Sequence, residues 1–383
     1  MSYLFPTYSR WEIEPEHAEG TYLISKDGKK YLDFTSGIGV CNLGHCPENV
    51  KKAIQSQLNK FWHVSNLFQQ SEQEKAGQML AKAAGMDAVF FANSGAEANE
   101  AAIKLAKKAT QRDKVITFQQ SFHGRTYGAM AATGQEKVKI GFGTMLPTFV
   151  SLPFNDIKAL QNEMNEEVAA VMLEVVQGEG GIHIADADFL DQIQSLCKEC
   201  GSLLIIDEIQ TGIGRTGKPF AFQHFGMEPD IVTVAKGLGN GLPIGAVIGT
   251  ERLKAIFGPG SHGSTFGGNP VSIAAAIATM EEIFESAFLR KVEEKSAWLF
   301  DYLESSLIHH ASVKAIRGLG MMMGIEITVP NSQILSLLRT SGLIVLPAGE
   351  KVIRLLPPLT ATRDELKDGI EIMIKVFEEF KEK

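Results

Sequence analysis

Ile231-Val232-Thr233-Val234-Ala235-Lys236-Gly237-Leu238-Gly239-Asn240-Gly241 runs from an apolar strand into a glycine-rich turn, with a lysine at the join. The apolar part is short and rich in β-branched residues, so it reads as a strand buried on both faces. A lysine ending such a strand is costly to desolvate unless its charge is paired or lost. One way of losing it is a covalent bond to an aldehyde. The plainer alternative is a surface lysine just past a strand end.

Similar short runs recur on both sides of this one. Val89–Phe91, Val115–Phe118, Ala170–Leu173, Leu203–Ile206 and Ala246–Ile248 all read as buried strands. Helical patterns lie among them, at Ala96–Ala109, Asp156–Met164 and Phe189–Cys200. This alternation predicts an α/β fold with a mostly parallel sheet covered by helices on both faces, and ligand sites at the carboxyl ends of its strands. After Thr265-Phe266-Gly267-Gly268-Asn269-Pro270 a long helical stretch is expected from about Val271 to His309. Strands at Met321–Ile327 and Val352–Leu355 follow, and a hairpin pattern, Thr21–Ser25 and Tyr31–Phe34 around Asp27-Gly28, stands near the start. The expected division is a large domain over 49–285 and a smaller α+β domain built from both chain ends, 1–48 and 286–383. The tail Glu378–Lys383 reads as a solvated helix end.

A chain of 383 residues with 44% apolar and 21% charged residues suits a globular protein with a large core. The net charge of −8 and the lack of a basic block argue against nucleic acid as the main partner. No apolar run is long enough to span a bilayer, and the N-terminal stretch lacks the basic-then-apolar pattern of a secretory leader. Four cysteines, Cys41, Cys46, Cys197 and Cys200, fit a reducing, cytoplasmic setting. The Cys197-Lys-Glu-Cys200 spacing falls at a helix end, whereas a redox pair gains its reactivity at a helix start; no metal site is expected.

Several stretches at strand ends carry chemistry. Asn93-Ser94-Gly95-Ala96-Glu97-Ala98-Asn99-Glu100 opens a helix with small residues, which lets backbone N–H groups approach a phosphate; an ordinary capped helix is the alternative. Asp207, in Ile205-Ile206-Asp207-Glu208-Ile209-Gln210, is a carboxylate that needs a partner, and a pyridinium N–H is one that suits it. Phe122, in Ser121-Phe122-His123-Gly124-Arg125-Thr126, is placed to stack on a flat ring, and Arg125 to grip a carboxylate. Arg354 stands inside the apolar stretch Ile353–Pro358 and needs an acid or a ligand, with Glu179 of Gln177-Gly178-Glu179-Gly180-Gly181 a candidate partner. Gly212-Ile213-Gly214-Arg215-Thr216-Gly217 matches the dinucleotide fingerprint, but Pro219 opposes the helix that the fingerprint requires.

Together these stretches resemble the class III aminotransferases, enzymes of fold type I that use pyridoxal 5′-phosphate (PLP). The likeness holds in order along nearly the whole chain, through the Asn93–Glu100 stretch, Phe122-His123-Gly124-Arg125-Thr126, Glu174 with Gln177-Gly178-Glu179, Asp207–Gly212, Ala235-Lys236-Gly237 and Ser264-Thr265-Phe266-Gly267-Gly268-Asn269-Pro270. The resemblance implies that Lys236 bonds to the cofactor aldehyde and then carries a proton to and from the substrate carbon. It implies that Asp207 faces the pyridine nitrogen, that Gln210 lies near the ring hydroxyl, and that Phe122 and Ile209 sandwich the ring. Gly95 and Ala96 would bind the phosphate, Thr265 would reach the phosphate of a second copy in a homodimer with shared active sites, and Arg125 and Ser264 would bind substrate.

Within the class, Ser36–His45, His63–Phe68 and the Arg354 segment resemble the branch that moves the ω-amine of N2-acetyl-L-ornithine to 2-oxoglutarate in arginine biosynthesis, giving N-acetyl-L-glutamate 5-semialdehyde and glutamate. In that reading Glu179 neutralises Arg354 while acetylornithine reacts and yields it to the α-carboxylate of glutamate. Ile38 stands where the ornithine aminotransferases carry a tyrosine, which disfavours a free α-ammonium and suits an acylated nitrogen. Succinylornithine, ornithine or 4-aminobutyrate as amine donor, or a PLP aminomutase, are the alternatives. His45-Cys46-Pro47-Glu48 departs from the family's His-Cys-His-Pro, and a local effect on a helix start is expected.

Overall fold

The central sheet of the computed structural model, which describes residues 3–380, has seven strands. Residues 1–2 and 381–383, including the end of the charged tail, lie outside the described part. In spatial order the strands are Ala88–Ala92, Gly245–Gly249, Ile231–Val234, Leu203–Asp207, Val168–Leu173, Lys114–Phe118 and Phe149–Leu152. All neighbours pair in parallel except Gly245–Gly249, which is antiparallel to both strands beside it. The link from Ala235 to Ile244 is too short for a helical crossover, so the chain turns straight back. Phe149–Leu152 is an edge strand that the apolar pattern does not reveal, because all four of its residues are only half-buried. The expected mostly parallel sheet is present.

Alanine-rich packing brings helix Gly95–Thr110 onto this sheet. Ala98, Ala101, Ala102 and Ala106 are buried on the face that meets the strands, so the two backbones approach closely. Ser94 caps the helix, its hydroxyl accepting from the Glu97 N–H at 3.2 Å. Helices Ile157–Glu163 and Ala187–Cys200 lie close to the expected spans, and Cys197 and Cys200 sit in the last turn of the second.

The two chain ends meet in a second sheet. Pro15–Glu19, Tyr22–Ser25 and Lys30–Asp33 form an antiparallel meander, and Leu343–Ile344 joins it parallel to Lys30–Asp33. A third sheet orders Val313–Leu319, Met322–Ile327, Val352–Leu355 and Leu346–Ala348, all antiparallel. A small hairpin, Val176–Gln177 with His183–Ile184, projects between this sheet and the central one.

Three local expectations meet a more detailed outcome. The helical stretch expected from Val271 to His309 is two helices, Pro270–Ile283 and Ser286–Leu307, parted at Glu285, whose backbone is extended. The first is buried on most of its faces and the second along one stripe, so a change of direction is needed between them. Helix Glu48–Leu58 begins directly after Pro47, which fits a helix-start role for the departure there. Gly212–Gly217 forms turns that lead to a 3-10 segment, Ala221–Phe225, and no helix start faces a ligand there.

The directions of the strands place Ala92, Phe118, Leu173, Asp207 and Val234 at one edge of the central sheet. No helix among the described residues is long and apolar enough to cross a membrane.

Candidate active site

At that edge lies a cavity of about 410 Å³. Gly95, Ala96, Phe122, Arg125, Glu179, Asp207, Ile209, Gln210 and Lys236 line it, together with His123, Glu174 and Val40. Arg354 borders it through its hydrogen bonds to Glu179 and Gln210.

Asp207 ends its strand with a carboxylate that three donors hold. Oδ2 accepts from His123 Nδ1 at 2.7 Å and from Asn99 Nδ2 at 2.8 Å, and Oδ1 accepts from the Ile209 N–H at 3.0 Å. Asn99 cannot turn over freely. Its Nδ2 also donates to the His123 carbonyl, and its Oδ1 accepts from Thr233 Oγ1 at 2.7 Å. Burial opposes a charged His123 ring, but the hydrogen bond and charge of Asp207, with Glu174 beyond, outweigh it and raise its pKa. His123 Nε2 is buried and has no partner among the described residues.

Lys236 lines the same cavity as Asp207, just past the end of the neighbouring strand. Its backbone is left-handed, with φ 41°. Burial lowers its pKa, the Arg354 charge adds to that, and the carboxylates of Glu179, Asp207 and Glu174 oppose it. A larger fraction of neutral, nucleophilic amine follows near neutral pH.

Arg354 is almost fully buried, and Glu179 lies against it. Arg354 Nη1 donates to Glu179 Oε1 at 2.6 Å, to Gln210 Oε1 at 3.0 Å and to the Gly178 carbonyl at 3.0 Å. Burial alone would raise the Glu179 carboxyl, but Arg354, Lys236 and the hydrogen bonds from Arg354 and Gln210 hold it below its usual range. Arg125 is exposed at the rim, with its guanidinium 5.7 Å from the Phe122 ring centre.

The N–H groups of Gly95 and Ala96 precede the first hydrogen bond of their helix and have no partner among the described residues. A side chain at position 95 would not fit, since a Cβ there would lie 2.7 Å from Ile209 Cδ1. Open helix-start donors, a carboxylate for a ring N–H, Phe122 and Ile209 as flanking surfaces, and a buried amine together fit PLP.

Three residues expected at the site lie elsewhere in the single chain. Thr265 is exposed and Ile38 is 47% exposed, and neither lines the cavity. Ser264 touches the wall indirectly, its Oγ accepting from Asn93 Nδ2 at 3.0 Å. Conversely, the sequence reading gave no role to His123, Asn99 or Glu174. Their signal was a polar residue among small or apolar neighbours in the very stretches quoted above.

Two buried carboxyls border the site with raised pKa values. Glu174 accepts from the Phe122 N–H at 3.0 Å, and burial, opposed by His123, pushes it up to about 7. Glu208 accepts from Thr211 Oγ1 at 2.5 Å and from the Phe222 N–H at 2.8 Å, and burial pushes it up to about 7 as well. At these two carboxyls the folded protein binds more protons than the unfolded chain between about pH 4.5 and pH 7, so their contribution to stability falls as pH rises through that window. Glu208→Gln keeps an acceptor for the Phe222 N–H in its amide oxygen, turns its NH2 to the Thr211 hydroxyl as a donor, and removes the titration. Its melting temperature should match the parent near pH 5 and exceed it at pH 8; an equal offset at both pH values would refute this account.

A family model described as Aminotransferase class-III matches residues 6–377. The acetylornithine aminotransferase of Bacillus subtilis (strain 168) is 58% identical over 371 residues, which cover 97% of this chain and 96% of that protein. Among solved structures, the ornithine aminotransferase of Toxoplasma gondii, with partial occupancy of PLP at its active site, superposes with a TM-score of 0.93 at 30% identity, over 98% of this chain and 92% of that one. The acetylornithine aminotransferase of Elizabethkingia anophelis gives 0.89 at 32% identity, over 98% and 96%.

Proposed function

Since the chain belongs to the class-III aminotransferase family, whose members use PLP on this fold-type I α/β scaffold, we propose that it transfers the ω-amine of N2-acetyl-L-ornithine to 2-oxoglutarate, in the cytoplasm and as a step of arginine biosynthesis. The observation that carries this reading is the Glu179–Arg354 pair at the cavity wall. The relatives named acetylornithine aminotransferase support the choice of substrate.

The cofactor, when bound, supplies an electron sink for the charge that develops on the reacting carbon. Lys236 would hold it covalently, the Gly95 and Ala96 N–H groups would hold its phosphate, and Asp207 would face its ring nitrogen, keeping that nitrogen protonated. Gln210, Phe122 and Ile209 would fix the plane of the ring. The Lys236 amine would take a proton from the reacting carbon and later return one, which its depressed pKa favours. Arg125 at the rim would grip the distal carboxylate of either substrate.

The two amine donors make opposite demands on Arg354. Glutamate reacts at the carbon that bears its α-carboxylate, which Arg354 can bind bidentately. Acetylornithine reacts at a methylene with no carboxylate nearby, and an unpaired buried guanidinium would then carry a large desolvation penalty. Glu179 answers both demands by pairing with Arg354 in one half-reaction and giving way in the other.

The test is a panel of half-reactions with single amines, following the absorbance of the bound cofactor. Acetylornithine and glutamate should each convert it, and free ornithine poorly. Glu179→Gln should shift the ratio of kcat/KM toward glutamate by roughly ten-fold or more, since breaking one partner of a buried ion pair has a large effect. Equal loss with both donors, or a preference for another amine, would overturn the assignment.

A homodimer with shared sites completes the reading. Trp62, Leu67, Phe68 and Phe266 are 68, 93, 66 and 59% exposed, an apolar cluster around Thr265. Asn66 Nδ2 donates to the Gly267 carbonyl at 2.9 Å, so the two segments that carry these side chains are already tied together. In this arrangement Thr265 and Ser264 lie on the face that meets the second copy.

A further inference from the structure

Glu179 stands at the tip of the hairpin Val176–Gln177 and His183–Ile184, and two arginines hold that hairpin. Arg354 binds its first leg, at the Gly178 carbonyl. Arg317 binds its second leg. Arg317 Nε donates to the carbonyls of Gly181 and Ile182 at 3.0 and 3.1 Å, and Nη2 to Gly181 at 2.7 Å. The remaining nitrogen, Nη1, donates to Glu326 Oε2 at 2.6 Å, so all three guanidinium nitrogens are engaged.

The two arginines belong to one cross-strand row. Arg317 pairs with Gly324, and Gly324 pairs with Arg354. Residues directly opposite in such a row project to the same face of the sheet. The middle position admits only glycine, because a Cβ on Gly324 would lie 2.9 Å from Ile182 Cγ1. Ile182 therefore sits down between the arginines, with the left-handed φ of 56° that a β-branched residue rarely adopts. The tip has little other room, since a Cβ on Gly180 would lie 2.6 Å from the Gln120 carbonyl. The Ile182 N–H closes the turn onto the Gln177 carbonyl at 3.0 Å.

From this geometry we infer that Arg317 is a positioning residue for substrate discrimination: it clamps the hairpin so that Glu179 exchanges on and off Arg354 by side-chain rotation over a fixed backbone. This rests on the reading of Glu179 and Arg354 as a switch. Arg317 touches neither substrate nor cofactor. With the clamp released, the backbone below Glu179 gains freedom and the Glu179–Arg354 pair forms less readily. The half-reaction that needs Arg354 neutralised then suffers, and the one in which a carboxylate takes Arg354 does not.

The experiment compares Arg317→Gln, Arg317→Lys, Glu179→Gln and the double variant Arg317→Gln/Glu179→Gln as holoenzymes. Arg317→Gln should move the kcat/KM ratio of glutamate over acetylornithine toward glutamate by roughly three- to ten-fold. Calorimetry should show glutarate, a dicarboxylate without an amine, binding more tightly to it by a similar factor. Amide exchange over residues 177–184 should quicken. Arg317→Lys keeps a charge near the two carbonyls and should fall between parent and Arg317→Gln. In the double variant the Arg317 change should add nothing to the Glu179→Gln shift.

Lys314→Gln is the control, because Lys314 also donates to Glu326, at 2.6 Å, and has no hydrogen bond to the hairpin. A shift as large in Lys314→Gln as in Arg317→Gln would overturn the inference. So would faster exchange without a change in discrimination or in glutarate affinity. A shift in Glu179→Gln with none in Arg317→Gln refutes the positioning role alone. No shift in Glu179→Gln refutes the switch, and the role of Arg317 falls with it.

Discussion

Lys236→Ala is expected to lower turnover by roughly 10,000-fold or more, since it removes both the covalent anchor and the proton carrier. The same change should leave the fold intact. Alanine and lysine meet the same backbone cost at the left-handed φ of 41°, so the substitution adds no strain. It also removes a buried amine whose charged form is disfavoured by desolvation. The cofactor-free variant should therefore melt at or above the temperature of the cofactor-free parent. Small primary amines added to the loaded variant should recover part of the rate, because the missing group is a base and the cavity is large enough to admit one. Stopped-flow half-reactions and thermal melts check both sides. Turnover within ten-fold of the parent would place the chemistry on another residue.

Asp207→Asn ranks second, with an expected loss of roughly 100- to 1,000-fold in kcat. The replacement is nearly isosteric, yet the surroundings reject it. All three neighbours of the carboxylate are donors: the His123 ring, the Asn99 amide and the Ile209 N–H. An asparagine NH2 would face at least one of them donor to donor. Asn99 cannot turn to accept without losing its bonds to the His123 carbonyl and to Thr233. The ring nitrogen of the cofactor would also lose the negative charge that keeps it protonated. A drop of several degrees in melting temperature should accompany the loss of rate, from the buried hydrogen bonds given up. Activity above one tenth of the parent would show that the charge at 207 is dispensable.

Much of this was legible along the chain because it is local. Short β-branched runs reported the strands of the central sheet, and the turns that follow them carried Gly95, Phe122, Asp207 and Lys236 to one edge. Pro219 sufficed to set aside the glycine pattern at 212–217, since it forbids a helix through its own ring. Other elements carried no local mark. Phe149–Leu152 is half-buried at an edge and shows neither full burial nor alternation. The break at Glu285 has no proline or glycine to announce it, and only the packing of two unlike helices requires it.

By itself the order of residues determined the α/β class, the strand-end placement of the reactive lysine and carboxylate, and the pairing of residue types that suits a phosphate-bearing aldehyde. These depend on neighbours within a few positions, where steric and solvation preferences act directly. The tertiary structure decided which partners those groups meet: Asn99 and His123 at Asp207, Glu179 at Arg354, and Arg317 beneath the hairpin that carries Glu179. Such contacts join segments from 84 to 175 positions apart. They form only when elements far apart in the chain pack together, and no periodicity within one segment encodes them.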